Sequence, residues 1–132
     1  MLDGLLDPLR WERTLSNMGP FWEGWAFTLK VVLAGLALSL ALGTLLGVFS
    51  TTRSKVPRAI SRVYVEFYQN TPLPVQVFFM YTAGPQVLQA ITGAASPVRI
   101  APFALGVLGV GLYHAAYVSE VIRTGIESVP KG

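Results

Sequence analysis

The stretch AFTLKVVLAGLALSLALGTLLGVF at residues 26–49 decides the fold. Coiled into an α-helix with a rise of ~1.5 Å per residue, it is about 36 Å long, which exceeds a hydrocarbon core of ~30 Å. Its one charged residue, Lys30, lies near the start, where a long side chain can reach the lipid headgroups. The stretch therefore predicts a membrane-spanning helix.

The composition of the whole chain also indicates a membrane protein. The 132 residues are 52% hydrophobic and only 13% charged, whereas soluble domains carry about 25% charged residues. The net charge of +3 would suit nucleic acid, but four basic residues cluster between two apolar stretches, at Arg53, Lys55, Arg58 and Arg62. That placement is typical of a cytoplasmic loop. We therefore expect a membrane around the chain and no nucleic-acid partner.

Two further stretches, 58–83 and 100–121, are long enough to cross a bilayer. With the basic loop inside, the predicted topology has an external N-terminus, three crossings and a cytoplasmic C-terminus. Residues 84–99 then form an external loop, in which Pro85–Ile91 can make a short helix. The predicted fold class is an all-α integral membrane protein.

The second predicted span, 58–83, is the most polar of the three. Ionisable and amide groups at membrane depth usually face a bundle interior, a partner or a pathway. The candidate pathway residues are Glu66, Gln69, Asn70, Thr71 and Gln76. Thr71 and Pro72 also resemble an N-cap followed by proline at the first helical position, where a restarted helix would aim free N–H groups inward. A proline kink in one continuous helix explains the same residues, and we favour the kink.

The N-terminal residues 1–23 predict an amphipathic arm at the membrane interface. Its leucines follow helical spacing at Leu2, Leu5, Leu6 and Leu9. Tryptophans prefer the membrane–water boundary, and this region supplies Trp11, Trp22 and Trp25.

Glycines recur in the first and third predicted spans. Gly43 and Gly47 have the GxxxG spacing that permits close helix contact, and the third span carries Gly106, Gly109 and Gly111. Membrane helices are also rich in glycine in general. For Gly43 and Gly47 both explanations stay open, whereas the third-span glycines predict a flat packing face.

The chain lacks the usual signals of catalysis. It contains no cysteine, which excludes disulfides, cysteine–zinc sites and a thiol nucleophile. The single histidine, His114, has no second ligand at metal-site spacing, and we expect it to be packed or hydrogen-bonded. No glycine-rich phosphate loop is found. Glu66 and Glu120 are not placed together by any pattern, so we expect no enzyme activity, no metal and no cofactor.

Three stretches resemble one family, the polar amino-acid permeases of the type-1 ABC importers. They are GWAFTLKV at 24–31, YVEFYQNTPLPVQVFFMY at 64–81 and AAYVSEVIRTGIESVPKG at 115–132. The resemblance covers roughly 24–132 and implies an ABC transmembrane domain there, with three of the family's five helices. The family's next segment, the coupling loop that docks on the ATPase, would follow Gly132. On this resemblance the chain is a C-terminally incomplete permease.

The resemblance also implies a function and partners. The family imports polar amino acids or opine-like zwitterions across the bacterial inner membrane. It works with an ATP-hydrolysing subunit, a periplasmic solute-binding protein and a second permease protomer, identical or different. Gln69 departs from the family, which usually has arginine there. Glu66 consequently lacks that cation, and it either pairs with Arg62 one turn earlier or lies near a pathway.

The charged C-terminal end admits two interpretations. Glu120, Arg123 and Glu127 lie at i, i+3 and i+7, and spacing alone indicates a solvated helix face. The resemblance favours a lead-in to the coupling loop, which also includes Pro130 and Gly132. For the chain as a whole, the alternative to a permease is a membrane anchor or assembly protein whose polar residues serve helix packing. A channel or membrane enzyme is less supported, because no charged ring or catalytic cluster appears.

Overall fold

The computed structural model describes residues 7–130, and every regular element in that range is a helix. The helices in chain order are α1 (Pro8–Ser16), α2 (Gly19–Thr51), α3 (Lys55–Asn70), α4 (Leu73–Thr82), α5 (Gly84–Thr92) and α6 (Pro102–Glu127). The predicted all-α class is therefore confirmed. The chain divides into two compact units, Met1–Lys30 and Val31–Gly132, and α2 begins in the first and ends in the second.

The first unit contains α1 and the opening turns of α2. The Asp7 carboxylate caps α1 by accepting a hydrogen bond of 3.1 Å from the Leu9 N–H. Pro8 follows at the first helical position, where no donor is lost. Three leucines of the predicted arm, Leu2, Leu5 and Leu6, lie outside the described residues. The interfacial location of residues 1–23 stays a prediction.

Helices α2 and α6 are long and apolar enough to cross a membrane. They have 33 and 26 residues, with mean hydropathies of 2.3 and 1.4 over their most apolar windows. At ~1.5 Å per residue the helices are about 50 and 39 Å long. The two predicted helices are thus confirmed: 26–49 lies within α2, and 100–121 corresponds to α6, which begins at Pro102 and ends at Glu127.

The predicted second span is two helices, so the favoured continuous, kinked helix is wrong. Helix α3 ends at Asn70, Thr71 is extended (φ −116°, ψ 124°), and α4 begins at Leu73. Pro72 forces the residue before it out of helical geometry, and Pro74 removes another donor in the first turn of α4. The N-cap of α4 is Pro72, so the N-cap predicted at Thr71 is wrong as well.

Glycines bring α2 against α6. A Cβ atom added to Gly43 would lie 2.6 Å from the Val118 Cβ, and one added to Gly47 would lie 2.6 Å from the Ile122 Cβ. Real Cβ atoms do not approach so closely, so only glycine permits this separation of the two backbones. The close-contact explanation of the GxxxG spacing is confirmed.

The glycines of α6 are packing positions too. A Cβ on Gly109 would lie 2.7 Å from the Val77 Cγ2 of α4, and one on Gly111 would lie 2.6 Å from the Leu38 Cδ2 of α2. The flat face predicted for the third span is therefore confirmed, with α2 and α4 packed on it.

Two buried or half-buried hydroxyl groups fix α3 against its neighbours. The Ser61 hydroxyl donates to the Leu46 carbonyl of α2 over 2.8 Å. The Tyr64 hydroxyl donates to the Leu112 carbonyl of α6 over 2.7 Å. These bonds set the rotation of α3 and thereby determine which of its faces is left free.

The predicted external loop contains the short helix α5, as the sequence allowed. Gly93 ends α5 in the left-handed conformation (φ 68°), and its N–H donates to the Gln89 carbonyl. This is the usual role of glycine at a helix C-terminus.

Candidate functional site

A polar cleft of about 820 Å³ opens between the end of α2, helix α3 and the end of α6. Its walls carry six charged side chains and several hydroxyl or amide groups. The lining residues are Ser50, Thr51, Arg58, Ser61, Arg62, Val65, Glu66, Gln69, Glu120, Arg123, Ile126, Glu127 and Val129.

One wall of the polar cleft is a stripe along α3. Arg58, Arg62, Glu66 and Gln69 follow one another at spacings of four, four and three residues, which places them on one helix face. The buried residues Ser61 and Val65 lie beside this stripe and hold α3 in place. The stripe ends at Gln69, just before the break between α3 and α4.

The opposite wall is an ion-paired triad on α6. The Arg123 guanidinium lies 2.7 Å from the Glu120 carboxylate and 2.7 Å from that of Glu127. The guanidinium donates hydrogen bonds to the carboxylates of Glu120 and Glu127, and their attraction stabilises its positive charge. Arg123 is therefore a fixed cation with both of its neighbouring anions engaged.

The charged side chains on the α3 wall form fewer ion pairs and hydrogen bonds than those of the α6 triad. Arg58 donates two hydrogen bonds to the Thr52 carbonyl. Among residues 7–130, ion pairs join only Asp7 to Arg10 and Arg123 to Glu120 and Glu127. The pairing of Glu66 with Arg62 that the sequence suggested is therefore not formed. Both side chains line the polar cleft instead.

The side chains at the helix break have local partners. The Asn70 amide donates to the Glu66 carbonyl over 2.7 Å, and the Thr71 hydroxyl donates to the Phe67 carbonyl over 2.9 Å. The Phe67 carbonyl is among the last four of α3, which have no N–H partner within the helix. Asn70 and Thr71 thus close the end of α3 rather than line the polar cleft.

Gln76 ties the two helices together at the break. Its side-chain amide donates to the Thr71 carbonyl over 2.8 Å and to the Tyr68 carbonyl over 3.3 Å. The residue is only 6% exposed. Its Oε1 is buried without a hydrogen-bond partner among the described residues, an uncommon and costly state for a buried acceptor.

The structure brings together two groups of residues that the sequence treated separately. Glu66 and Gln69, predicted to contact substrate, share the polar cleft with Glu120, Arg123 and Glu127, predicted to lead into a coupling loop. Asn70, Thr71, Gln76 and Pro130 do not line it, and Gly132 lies outside the described residues. All these functional assignments stay predictions.

Sequence reasoning missed Arg58 and Arg62 as cleft residues. Both were assigned to a basic loop, whereas both belong to α3. Their spacing of four residues from each other and from Glu66 was the available signal.

His114 is hydrogen-bonded, as predicted: its Nδ1 lies 2.9 Å from the Val110 carbonyl one turn earlier. Within the described part of the chain, no group of three or more histidine, cysteine, aspartate or glutamate side chains is arranged to hold a metal ion.

Comparison with known proteins finds relatives that are named as amino-acid permeases. The chain is 34% identical over 110 residues to the "Putative glutamine transport system permease protein GlnP" of Rickettsia prowazekii, covering 83% of the chain and 47% of that protein. It is 32% identical over 124 residues to the arginine transport system permease protein ArtQ of Bacillus subtilis, covering 94% and 53%. It is 29% identical over 121 residues to the glutamate/aspartate import permease protein GltJ of Escherichia coli, covering 89% and 49%.

The other two comparisons found nothing: no family model and no solved structure matches the chain. The chain spans about half the length of the curated relatives it matches. All three of those relatives are named as amino-acid transport or import permeases. The matched part of the chain is therefore similar to the permeases of amino-acid transport systems.

Proposed function

We propose that the chain forms part of the membrane-spanning permease subunit of an ATP-driven importer for polar amino acids. The observation that carries this proposal is the similarity of 83–94% of the chain to permeases named for glutamine and arginine. Two helices are long and apolar enough to cross a membrane, and their ends, together with α3, line the polar cleft.

The polar cleft is the proposed cytoplasmic section of the substrate path. It opens beside the turn between α2 and α3, which contains Arg53 and leads into Lys55 at the start of α3. Basic residues concentrate on the cytoplasmic side of membrane proteins, so this end of the helices is placed inside the cell. The N-terminus is then periplasmic and the C-terminus cytoplasmic, in a bacterial inner membrane.

The partners follow from the proposed family function. An ATPase subunit would dock at the cytoplasmic end, near the Glu120–Arg123–Glu127 triad. A solute-binding protein would deliver the amino acid at the periplasmic face, and a second permease protomer would complete the path. ATP hydrolysis is assigned to the partner.

Uptake in cells tests the proposal directly. A strain that lacks its own permeases for glutamine, glutamate and arginine receives the intact transporter that contains this chain, and uptake of each radiolabelled amino acid is measured. We expect concentrative uptake of at least one of them, abolished when the ATPase partner carries a substitution of its catalytic lysine. Uptake equal to the empty vector for all three would refute the proposal and favour the anchor or assembly role.

Reporter fusions test the topology. A fusion after Thr52 is expected to report cytoplasmic, and one at Gly93 is expected to report periplasmic. The reverse pattern would overturn the placement of the polar cleft.

A further inference from the structure

The polar cleft has balanced charge. Its lining contains three arginines and three glutamates, so its formal net charge is zero. A path lined by charges of one sign would attract one charged group of a zwitterion and repel the other. A lining of zero net charge that contains both signs suits a solute that carries an ammonium and a carboxylate on the same carbon atom.

Most of these six charges already have partners. Arg123 holds Glu120 and Glu127 at 2.7 Å each, and Arg58 is bound to the Thr52 carbonyl. Arg62 and Glu66 remain as the only charged cleft residues without an ion pair or side-chain hydrogen bond in the described range. Both side chains are exposed, so a solute that enters the polar cleft can contact them.

The two free charges lie on the same face of α3. Residues four apart on a helix have Cβ atoms about 5–6 Å apart, and both side chains line one cleft. A cation and an anion that extend from neighbouring positions on one helix face can each contact one charged group of the same α-amino acid. Gln69, three residues beyond Glu66 on the same stripe, adds an amide that can donate or accept.

We propose that Arg62 and Glu66 form a recognition pair for the zwitterionic head of an α-amino acid, with Arg62 binding the carboxylate and Glu66 the ammonium. Guanidinium can bind carboxylate through two parallel N–H bonds, which gives both strength and direction. Because the pair reads only the head group, it accepts amino acids with different side chains. This inference rests on the proposed function, and it assigns the substrate contacts within the proposed path.

A binding experiment tests this pair independently of transport. The full chain in nanodiscs of phosphatidylethanolamine and phosphatidylglycerol is titrated with glutamine, glutamate and arginine, and with their methyl esters and N-acetyl derivatives. A methyl ester loses the carboxylate charge and an N-acetyl derivative loses the ammonium. We expect at least one free amino acid to bind about tenfold or more tightly than both of its derivatives, because each derivative loses one charge-assisted contact.

Substitutions assign each contact. Arg62→Gln is expected to bind the free amino acid and its methyl ester equally, while still rejecting the N-acetyl form. Glu66→Gln is expected to show the opposite pattern. Arg62→Lys keeps the charge and should retain part of the discrimination. Arg53→Gln removes an arginine outside the cleft and should change nothing. Far-UV circular dichroism and size-exclusion elution establish that each variant is folded.

The outcomes separate this inference from the proposed function. If no amino acid binds, or if both variants discriminate as the unsubstituted protein does, the recognition pair is refuted. If binding and its dependence on Arg62 and Glu66 are found but cells take up nothing, the pair stands and the transport function fails.

Discussion

The α2–α6 contact predicts that Gly43→Ala destabilises the protein. A Cβ at this position would lie 2.6 Å from the Val118 Cβ, 2.7 Å from its Cγ1 and 2.8 Å from the Ala115 carbonyl oxygen. Rotation of a flexible side chain cannot relieve the first and third contacts, because neither atom moves without its backbone. The two helices must therefore separate locally.

The expected magnitude follows from two opposing effects. Overpacking a close contact destabilises a protein by roughly 1–3 kcal/mol. Replacing glycine by alanine within a helix stabilises that helix by up to about 1 kcal/mol. We expect a net loss of about 1–2 kcal/mol in the free energy of unfolding. Gly47→Ala should behave alike, because its Cβ would meet the Ile122 Cβ at 2.6 Å and the Ser119 carbonyl oxygen at 2.9 Å.

Gly125→Ala is the matched control. Gly125 also lies in a long helix, and a Cβ there has no described atom within 4 Å. The assay is unfolding by increasing SDS in mixed micelles, followed by circular dichroism. Gly43→Ala should unfold at lower SDS than the unsubstituted protein, and Gly125→Ala at the same or higher SDS. Equal midpoints for the two variants would refute the close α2–α6 packing.

Three further substitutions test the neighbouring contacts by the same unfolding assay. Ser61→Ala removes the donor to the Leu46 carbonyl and should destabilise the protein by about 0.5–1.5 kcal/mol; no change would argue against this α2–α3 bond. Tyr64→Phe removes only the hydroxyl that donates to the Leu112 carbonyl, with an expected loss in the same range of about 0.5–1.5 kcal/mol, and Tyr81→Phe, which is 68% exposed, should be neutral. Gln76→Glu puts carboxylate oxygens against the Thr71 and Tyr68 carbonyls and should destabilise strongly, whereas Gln76→Met should be far milder because it also removes the unpartnered Oε1; equal effects of the two would refute the placement of this amide.

Much of the helical architecture could be predicted from sequence, because it depends on local properties. The 26–49 stretch is apolar for longer than a bilayer is thick, so its helix follows from composition alone. The predicted kink after Asn70 is wrong because Pro72 alone is compatible both with a kinked helix and with a break between two helices. Pro74 adds a second missing donor two residues later, and together they leave Thr71 and Pro72 extended.

The polar cleft could not be predicted, because its walls belong to helices that are far apart in the chain, α3 and α6. The spacing of Arg62 and Glu66 gives their common face on α3. The rotation of that face toward Glu120 and Arg123 depends on the bonds from Ser61 and Tyr64 and on the backbone approach at Gly43. Those are tertiary contacts, and no local pattern in a single sequence determines them.

The central claim, that the polar cleft is a cytoplasmic section of an amino-acid path, can be tested by thiol labelling. The chain has no cysteine of its own, so Gln69→Cys in the cleft and Val63→Cys outside it introduce single reporters on α3. Inside-out vesicles that contain the intact transporter are treated with a membrane-impermeant maleimide, with and without the amino acid that is transported. We expect Gln69→Cys to be labelled from the cytoplasmic side and to be protected by that amino acid, whereas labelling of Val63→Cys is unaffected by it. Labelling of Gln69→Cys only from the periplasmic side, or at a rate that the amino acid does not change, would show that the polar cleft is not part of this path.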